Sequence, residues 1–178
     1  MTRVTKPDWF ALAEQVLVEG GAAALTIEEL TRRAGVTKGS FYHHFGSRSG
    51  FVEAFLAHLS QLGFANVVAE VDAEAGPRDQ VQHLARLIAG RDPDLEIAVR
   101  RWSVSHPAVA DMLREVDRMR LHFLREQFER ESGDPELARR LARWNLAFYL
   151  GTLQVTPPIC GEEYLDGAAR LDVSRRPD

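Results

Sequence analysis

"GVTKGSFYHHFGSRSG", residues 35–50, decides the fold. It carries two glycines, Gly35 and Gly39, ahead of the unbroken run Phe41, Tyr42, His43, His44, Phe45. Gly35 ends a short helix, being the residue type that accepts left-handed backbone at a helix C-terminus. Upstream, "TIEE" starts that helix as a capping box, with Thr26 the cap and Glu29 its partner. Ile27, Leu30 and Ala34 form its inner stripe. Downstream, Thr37 caps a third helix over about Lys38 to His44, and "GSRS" at 46–49 breaks the chain again. Two short helices joined by a tight turn containing glycine read as a helix-turn-helix.

The side-chain pattern fits that reading. Val36 is the apolar plug at the junction. At about 100° per residue, Phe41 and Phe45 point inward together, Gly39 and His43 fall opposite, and Ser40 and Tyr42 lie at the flanks. Gly39 is a poor helix former, so its presence needs a reason. A missing Cβ lets the backbone press against another surface, and a helix N-terminus offers N–H groups to an anion. A phosphate backbone satisfies both. Phe at this spacing also occurs in plain helical bundles, and His43 also fits as an ordinary exposed histidine. The residues alone leave both readings open.

Working outward, nearly every segment carries helix signals and strand signals are nearly absent. A first helix spans about Asp8 to Glu19, with Pro7 before it and "GG" at 20–21 stopping it. A long apolar-rich helix follows the central stretch, from about Arg48 to Ala73. Proline then punctuates the chain at helix starts: Pro77, Pro93 (capped by Asp92), Pro107 and Pro135 (capped by Asp134). The Pro107 helix reaches towards Arg130, and the Pro135 helix towards Val155, before "PP" at 157–158. A short helix fits near Glu162 to Leu171, and "VSRRPD" reads as disordered. The expected class is all-α.

Composition bounds the rest. The 178 residues are 45% hydrophobic and 27% charged, enough for a real core. No run approaches the ~18 consecutive apolar residues of a membrane span, and the N-terminus shows no signal-peptide pattern. The single cysteine, Cys160, excludes an intrachain disulfide. A cytoplasmic protein is expected. Net charge is −4, yet between Leu30 and Val52 there are four cations (Arg32, Arg33, Lys38, Arg48) and no acid. Such a patch on an acidic chain is a docking feature.

Residues 9–58 resemble the DNA-binding domain of the TetR family, the tetracycline-repressor-like bacterial transcriptional regulators. The resemblance is carried by "LTIEELTRRAGVTKGSFYHHFGSRSGFVEAFL": the Ala-Gly-Val turn, Thr-Lys-Gly-Ser, the Tyr-x-His-Phe end and the following Ser-Arg. Gly50 departs from the pattern and is expected to loosen the first turn of the fourth helix. The resemblance implies a DNA-binding domain at 1–47 and a helical ligand-binding and dimerisation domain at 48–178. It implies that helix three enters the major groove, with Thr37, Lys38, Gly39 and Ser40 at its N-terminal end. Tyr42 and His44 would reach phosphates, and His43 would meet base edges. Thr26 and Arg48 would clamp the backbone on either side. Arg32 and Arg33 either touch phosphate or simply solvate helix two, and His44 also fits a place at the core edge. By role, Lys38, Tyr42, Arg48 and Thr26 position, while Ser40, Gly39 and His43 specify.

The family reads palindromic double-stranded operators as a homodimer. The dimer face is expected on the last long helix pair, with Leu137, Leu141, Trp144, Phe148 and Gly151 as candidates, though that stripe also fits packing within one subunit. A small-molecule inducer, of unknown identity, would act through helix four on the spacing of the recognition helices. Its pocket candidates are Arg101, Trp102, His106, Met112, Met119, His122, Phe123 and Tyr149. Asp117 and Arg120 read as a solvated ion pair. The expected function is a ligand-responsive regulator, a repressor, with no cofactor, no metal site and no membrane partner. The alternative is a helical partner-binding protein that uses the helix-turn-helix as a structural unit. An enzyme is not expected: no metal-ligand spacing, nucleophile–base pair or phosphate-binding loop appears.

Overall fold

The computed structural model describes residues 4–71 and 75–170, and "VSRRPD" lies outside them. Among these residues there are helices and no strands: α1 (Lys6–Ala24), α2 (Ile27–Ala34), α3 (Lys38–Phe45), α4 (Arg48–Ser60), a π-helical turn (Gln61–Ala65), α5 (Asn66–Ala69), α6 (Pro77–Ala89), α7 (Asp94–Ser103), α8 (Pro107–Ser132), α9 (Pro135–Thr152) and α10 (Gly161–Arg170). The all-α expectation holds.

Packing gathers the helices into two units. Residues to Gln61 together with Asp94–Leu113 make the first. Leu62–Pro93 together with the residues from Arg114 on make the second. In the first unit, α1 packs on α2 and α7, α2 on α3, and α3 on α4. Its core is aromatic. Trp9 and Phe41 are fully buried, edge to face, with ring centroids 5.5 Å apart. Phe41 meets Phe51 at 5.3 Å, and Phe51 stacks on Phe55 at 5.6 Å. Val36 and Phe45 pack against this cluster, as their spacing requires. The second unit has its own core of Val67, Val71, Leu84, Leu124, Phe128, Ala138, Leu141 and Ala142.

Helix ends follow from local chemistry, with some differences from the sequence reading. α1 begins at Lys6, because Thr5 and Asp8 form a reciprocal capping box and Pro7 sits inside the first turn. Gly21 interrupts it at φ 68°, which a β-carbon would oppose. Thr26 caps α2, its hydroxyl accepting from the Glu29 N–H at 3.1 Å. The capping box is only half formed, because the Glu29 carboxylate turns to Arg32 and Arg33 while the Thr26 N–H donates to the Ala24 carbonyl. Gly35 closes α2 in the left-handed region at φ 65°. α7 starts at Asp94 rather than at Pro93. Asp134 caps α9, accepting from the N–H groups of Glu136 and Leu137.

Two expectations are corrected here. The long helix from Arg48 is not uniform: it widens into the π turn at Gln61–Ala65 and α5 ends at Ala69. Ala73, its expected end, lies outside the described residues. Arg120 and Asp117 are not a solvated pair. Arg120 is only 7% exposed; it holds Asp117 at 2.9 Å, donates to the Gly63 carbonyl of the π turn at 2.8 Å and lies over the Tyr149 ring. Spacing in a charged run does not reveal that α8 turns this residue inward.

The run Arg48–Ala69 is long and apolar enough to cross a membrane by composition alone. Its residues Phe51, Phe55, Leu56, Leu59, Phe64 and Val67 are buried within the protein.

Candidate DNA-binding site

The site is built on the first turns of α2 and α3. α3 buries Phe41, and this sets the rest of its face: Lys38, Gly39, Tyr42 and His43 are exposed, and Ser40 is half-buried. His44 is half-buried with its ring edge-on to Trp9 at 6.4 Å, so one side of it serves the core. Thr37 occupies the N-cap position of α3, but its hydroxyl makes no cap hydrogen bond; the Ser40 N–H instead reaches the Thr37 carbonyl at 3.0 Å. The expectation that Thr37 caps by its side chain is thus corrected. The leading N–H groups of α3 have no side-chain oxygen on them, which suits an incoming anion. Arg48 is exposed at the start of α4.

The two glycines here do different things. A β-carbon on Gly39 would meet only the Thr37 hydroxyl, at 3.6 Å, an ordinary contact. The fold therefore does not need glycine there. A β-carbon on Gly50 would collide with the backbone carbonyl of Phe45. Gly50 lets α3 and α4 close on each other, with Ser47 capping α4 through the Gly50 N–H at 3.0 Å. It fits the turn rather than loosening it, which corrects the sequence reading.

Charge at the site differs from its appearance in sequence. The basic stretch has no acid of its own, but carboxylates just before it fold back onto it. Lys38 pairs with Glu28. Arg32 and Arg33 both bind Glu29, at 2.7 Å each, and Arg33 also binds Glu19 at 2.7 Å. Hydrogen bonds from Arg32 and then Arg33 hold the Glu29 carboxyl down to about 2. The Lys38 hydrogen bond likewise holds Glu28 below its ordinary value. The acids lie outside the 30–52 window, so a window count missed them.

The inducer candidates divide between the units. Arg101, Trp102, His106 and Met112 belong to the first unit. Trp102 is buried against Phe55, at 6.3 Å, with His106 edge-on at 5.4 Å, and Arg101 is exposed. Met119, His122, Phe123 and Tyr149 belong to the second. There Tyr149 carries the Arg120 guanidinium 5.1 Å above its ring and meets the buried Tyr164 at 6.5 Å. Phe123 packs on Phe64, Met119 is half-buried, and His122 is exposed beside Glu126. Buried Arg120 and Tyr164 both stand beside Tyr149, and neither was among the sequence candidates. Among the described residues no cluster of three or more metal-ligating side chains occurs.

On α9, Leu141 is buried in its own unit and Leu137 packs on the same core. Phe148 rests on Tyr164 at 5.5 Å. These three are occupied within the chain. Trp144 is 52% exposed, and Gly151 is exposed with open space around its Cα. Arg140, Trp144, Ala147 and Gly151 are all exposed and fall at one-face helical spacing.

Comparison with known proteins agrees with this geometry. Residues 10–55 match the family described as bacterial regulatory proteins, tetR family. The chain is 29% identical over 161 residues to the HTH-type transcriptional regulator BetI of Stenotrophomonas maltophilia, covering 84% of this chain and 79% of that one. Residues 10–55 are a TetR-family DNA-binding domain. It is 34% identical over 73 residues to the HTH-type transcriptional repressor KstR2 of Mycobacterium tuberculosis, a match spanning 41% of this chain and 36% of the repressor. Among solved structures, a TetR-family transcriptional regulator from Rhodococcus sp. superposes with TM-score 0.77 at 18% identity, covering 94% of this chain and 97% of that one. A transcriptional regulator from Saccharomonospora viridis in complex with choline superposes with TM-score 0.75 at 15% identity, covering 96% of each chain. The chain is a DNA-binding transcriptional regulator and not an enzyme. The partner-binding alternative is not favoured.

Proposed function

We propose that this regulator is a cytoplasmic repressor that binds a palindromic operator as a homodimer and releases it when a small molecule binds. The observation that carries the reading is α3. It buries Phe41, keeps a glycine its own fold does not need, and turns Lys38, Gly39, Tyr42 and His43 outward beside an N-terminus free of a side-chain cap. In this reading Thr37, Gly39 and Ser40 lie against the major groove and His43 meets base edges. Lys38, Tyr42, His44, Thr26 and Arg48 hold phosphates. A single helix-turn-helix makes few contacts, and a dimer doubles them across two half-sites. The exposed Trp144 and Gly151 face of α9 is the proposed contact between copies, with Leu137, Leu141 and Phe148 supporting it from beneath.

The Saccharomonospora viridis protein holds choline. Here Arg120 lies over the Tyr149 ring, so that face is not open to a ligand cation.

The test is selection of binders from a random duplex pool at physiological salt. A recovered palindrome supports both the operator and the dimer. No enrichment by folded protein, repeated after denaturing and refolding to strip bound inducer, overturns the reading.

A further inference from the structure

The first turns of α2 and α3 are bridged by one ion pair, Lys38 Nζ on the Glu28 carboxylate. Both side chains are exposed. A pair so placed adds little to stability, and the two helices are already fixed by other means. Thr26 caps α2, Gly35 makes the turn, and Phe41 anchors α3 in the core. An acid in the first turn of α2 suits the helix dipole, but that does not call for a lysine of α3 opposite it. Glu29 differs from Glu28, since it ties Arg32 and Arg33 and, through Arg33, joins α2 to Glu19 of α1. What Glu28 does do is occupy the charge of a lysine that stands at the first position of α3.

We propose that Glu28 is an intramolecular competitor for the phosphate that Lys38 contacts, and so sets the affinity of the protein for duplex DNA. The inference rests on the reading that α3 docks on DNA. On docking, the ammonium exchanges the carboxylate for a phosphate oxygen. The carboxylate left behind stands close to the DNA backbone and gathers a solution cation as the phosphate gives one up. The Lys38 contact then releases less than the about one counter-ion expected of an unencumbered lysine. It reaches the full value only when the carboxylate is gone. Glu28 thereby restrains sequence-independent attraction while leaving the groove-facing residues Ser40 and His43 untouched.

The experiment titrates wild type, Glu28→Gln, Lys38→Gln and the double variant onto a labelled duplex carrying the selected site, and onto an unrelated duplex, at a series of salt concentrations. Circular dichroism confirms that each is folded, as the exposure of both positions leads one to expect. Glu28→Gln should bind both duplexes about two- to five-fold more tightly, the fold-change an exposed pair of this kind represents, and with a steeper salt dependence. In the Lys38→Gln background the same change should bring a clearly smaller gain, because only the repulsion of a carboxylate beside the DNA backbone is left to relieve. Wild type that binds the selected duplex with Glu28→Gln no tighter overturns the inference alone. A gain as large without Lys38 as with it shows general repulsion rather than exchange, and also overturns it. Wild type with no salt-sensitive binding to any duplex overturns the DNA reading and this inference with it.

Discussion

Gly39 separates what the fold needs from what the function needs. Glycine within a helix costs about 1 kcal/mol relative to alanine, and among the described residues a β-carbon there would meet only the Thr37 hydroxyl, at an ordinary 3.6 Å. Gly39→Ala should therefore raise stability in a urea or thermal melt by up to about 1 kcal/mol while weakening operator binding, because the added methyl stands between α3 and the groove. Unchanged DNA affinity in a stabilised variant would remove Gly39 from the interface. Gly50 is the opposite case. Gly50→Ala drives a methyl into the Phe45 carbonyl and should cost about 1–3 kcal/mol, lowering stability first and binding only as a consequence. His43 is exposed, its ring meeting the neighbouring His44 ring at 5.6 Å, so His43→Ala should alter the preferred base in a selection experiment while moving the melting temperature little. The glycine-turn chemistry was legible in sequence. The difference between Gly39 and Gly50 was not, since it depends on what approaches each Cα.

At the scale of elements, α2 is tied to its neighbours by the Glu29 cluster. The Glu29 carboxyl sits at about 2 in the fold against an ordinary 4.5. A depressed carboxylate adds stability that is fully present above its unfolded value and is lost as pH falls from 4.5 towards about 2. Glu29→Gln should thus melt below wild type at neutral pH, and the gap should close in that acid window. A gap that persists at pH about 2 would show that packing rather than ionisation is responsible. The π turn is held differently. Buried Arg120 donates to the Gly63 carbonyl and pairs with Asp117. Arg120→Met removes a donor from a half-buried carbonyl, and should cost about 1–3 kcal/mol in a denaturant melt. The start of this helix near Arg48 was legible from the break at "GSRS", 46–49. The π turn was not, because it depends on a side chain from α8 far along the chain.

For the whole molecule, the division of α9 matters most. Five residues were read as one stripe, but Leu137, Leu141 and Phe148 are taken up by packing within the chain. Trp144 and Gly151 remain outside. Gly151→Trp fills open space in the isolated chain. It should leave the secondary structure intact while shifting light scattering from dimer to monomer and abolishing cooperative binding to a two-half-site duplex. Retained dimer mass would move the proposed interface away from α9.

Sequence by itself determined the all-α class, the helix-turn-helix at 26–45, the inward Phe41 and the outward Gly39 and His43. Each of these depends on neighbours within a turn or two of helix, where spacing and cap chemistry act directly. Tertiary structure decided what spacing cannot reach. It brought Glu19, Glu28 and Glu29 onto a stretch that looked purely basic, and turned Arg120 inward onto Gly63 and Tyr149. It also split the candidate ligand residues between two packing units. Charges and cavities are properties of what is near in space, and in a helical chain the nearest groups in space often belong to a different helix.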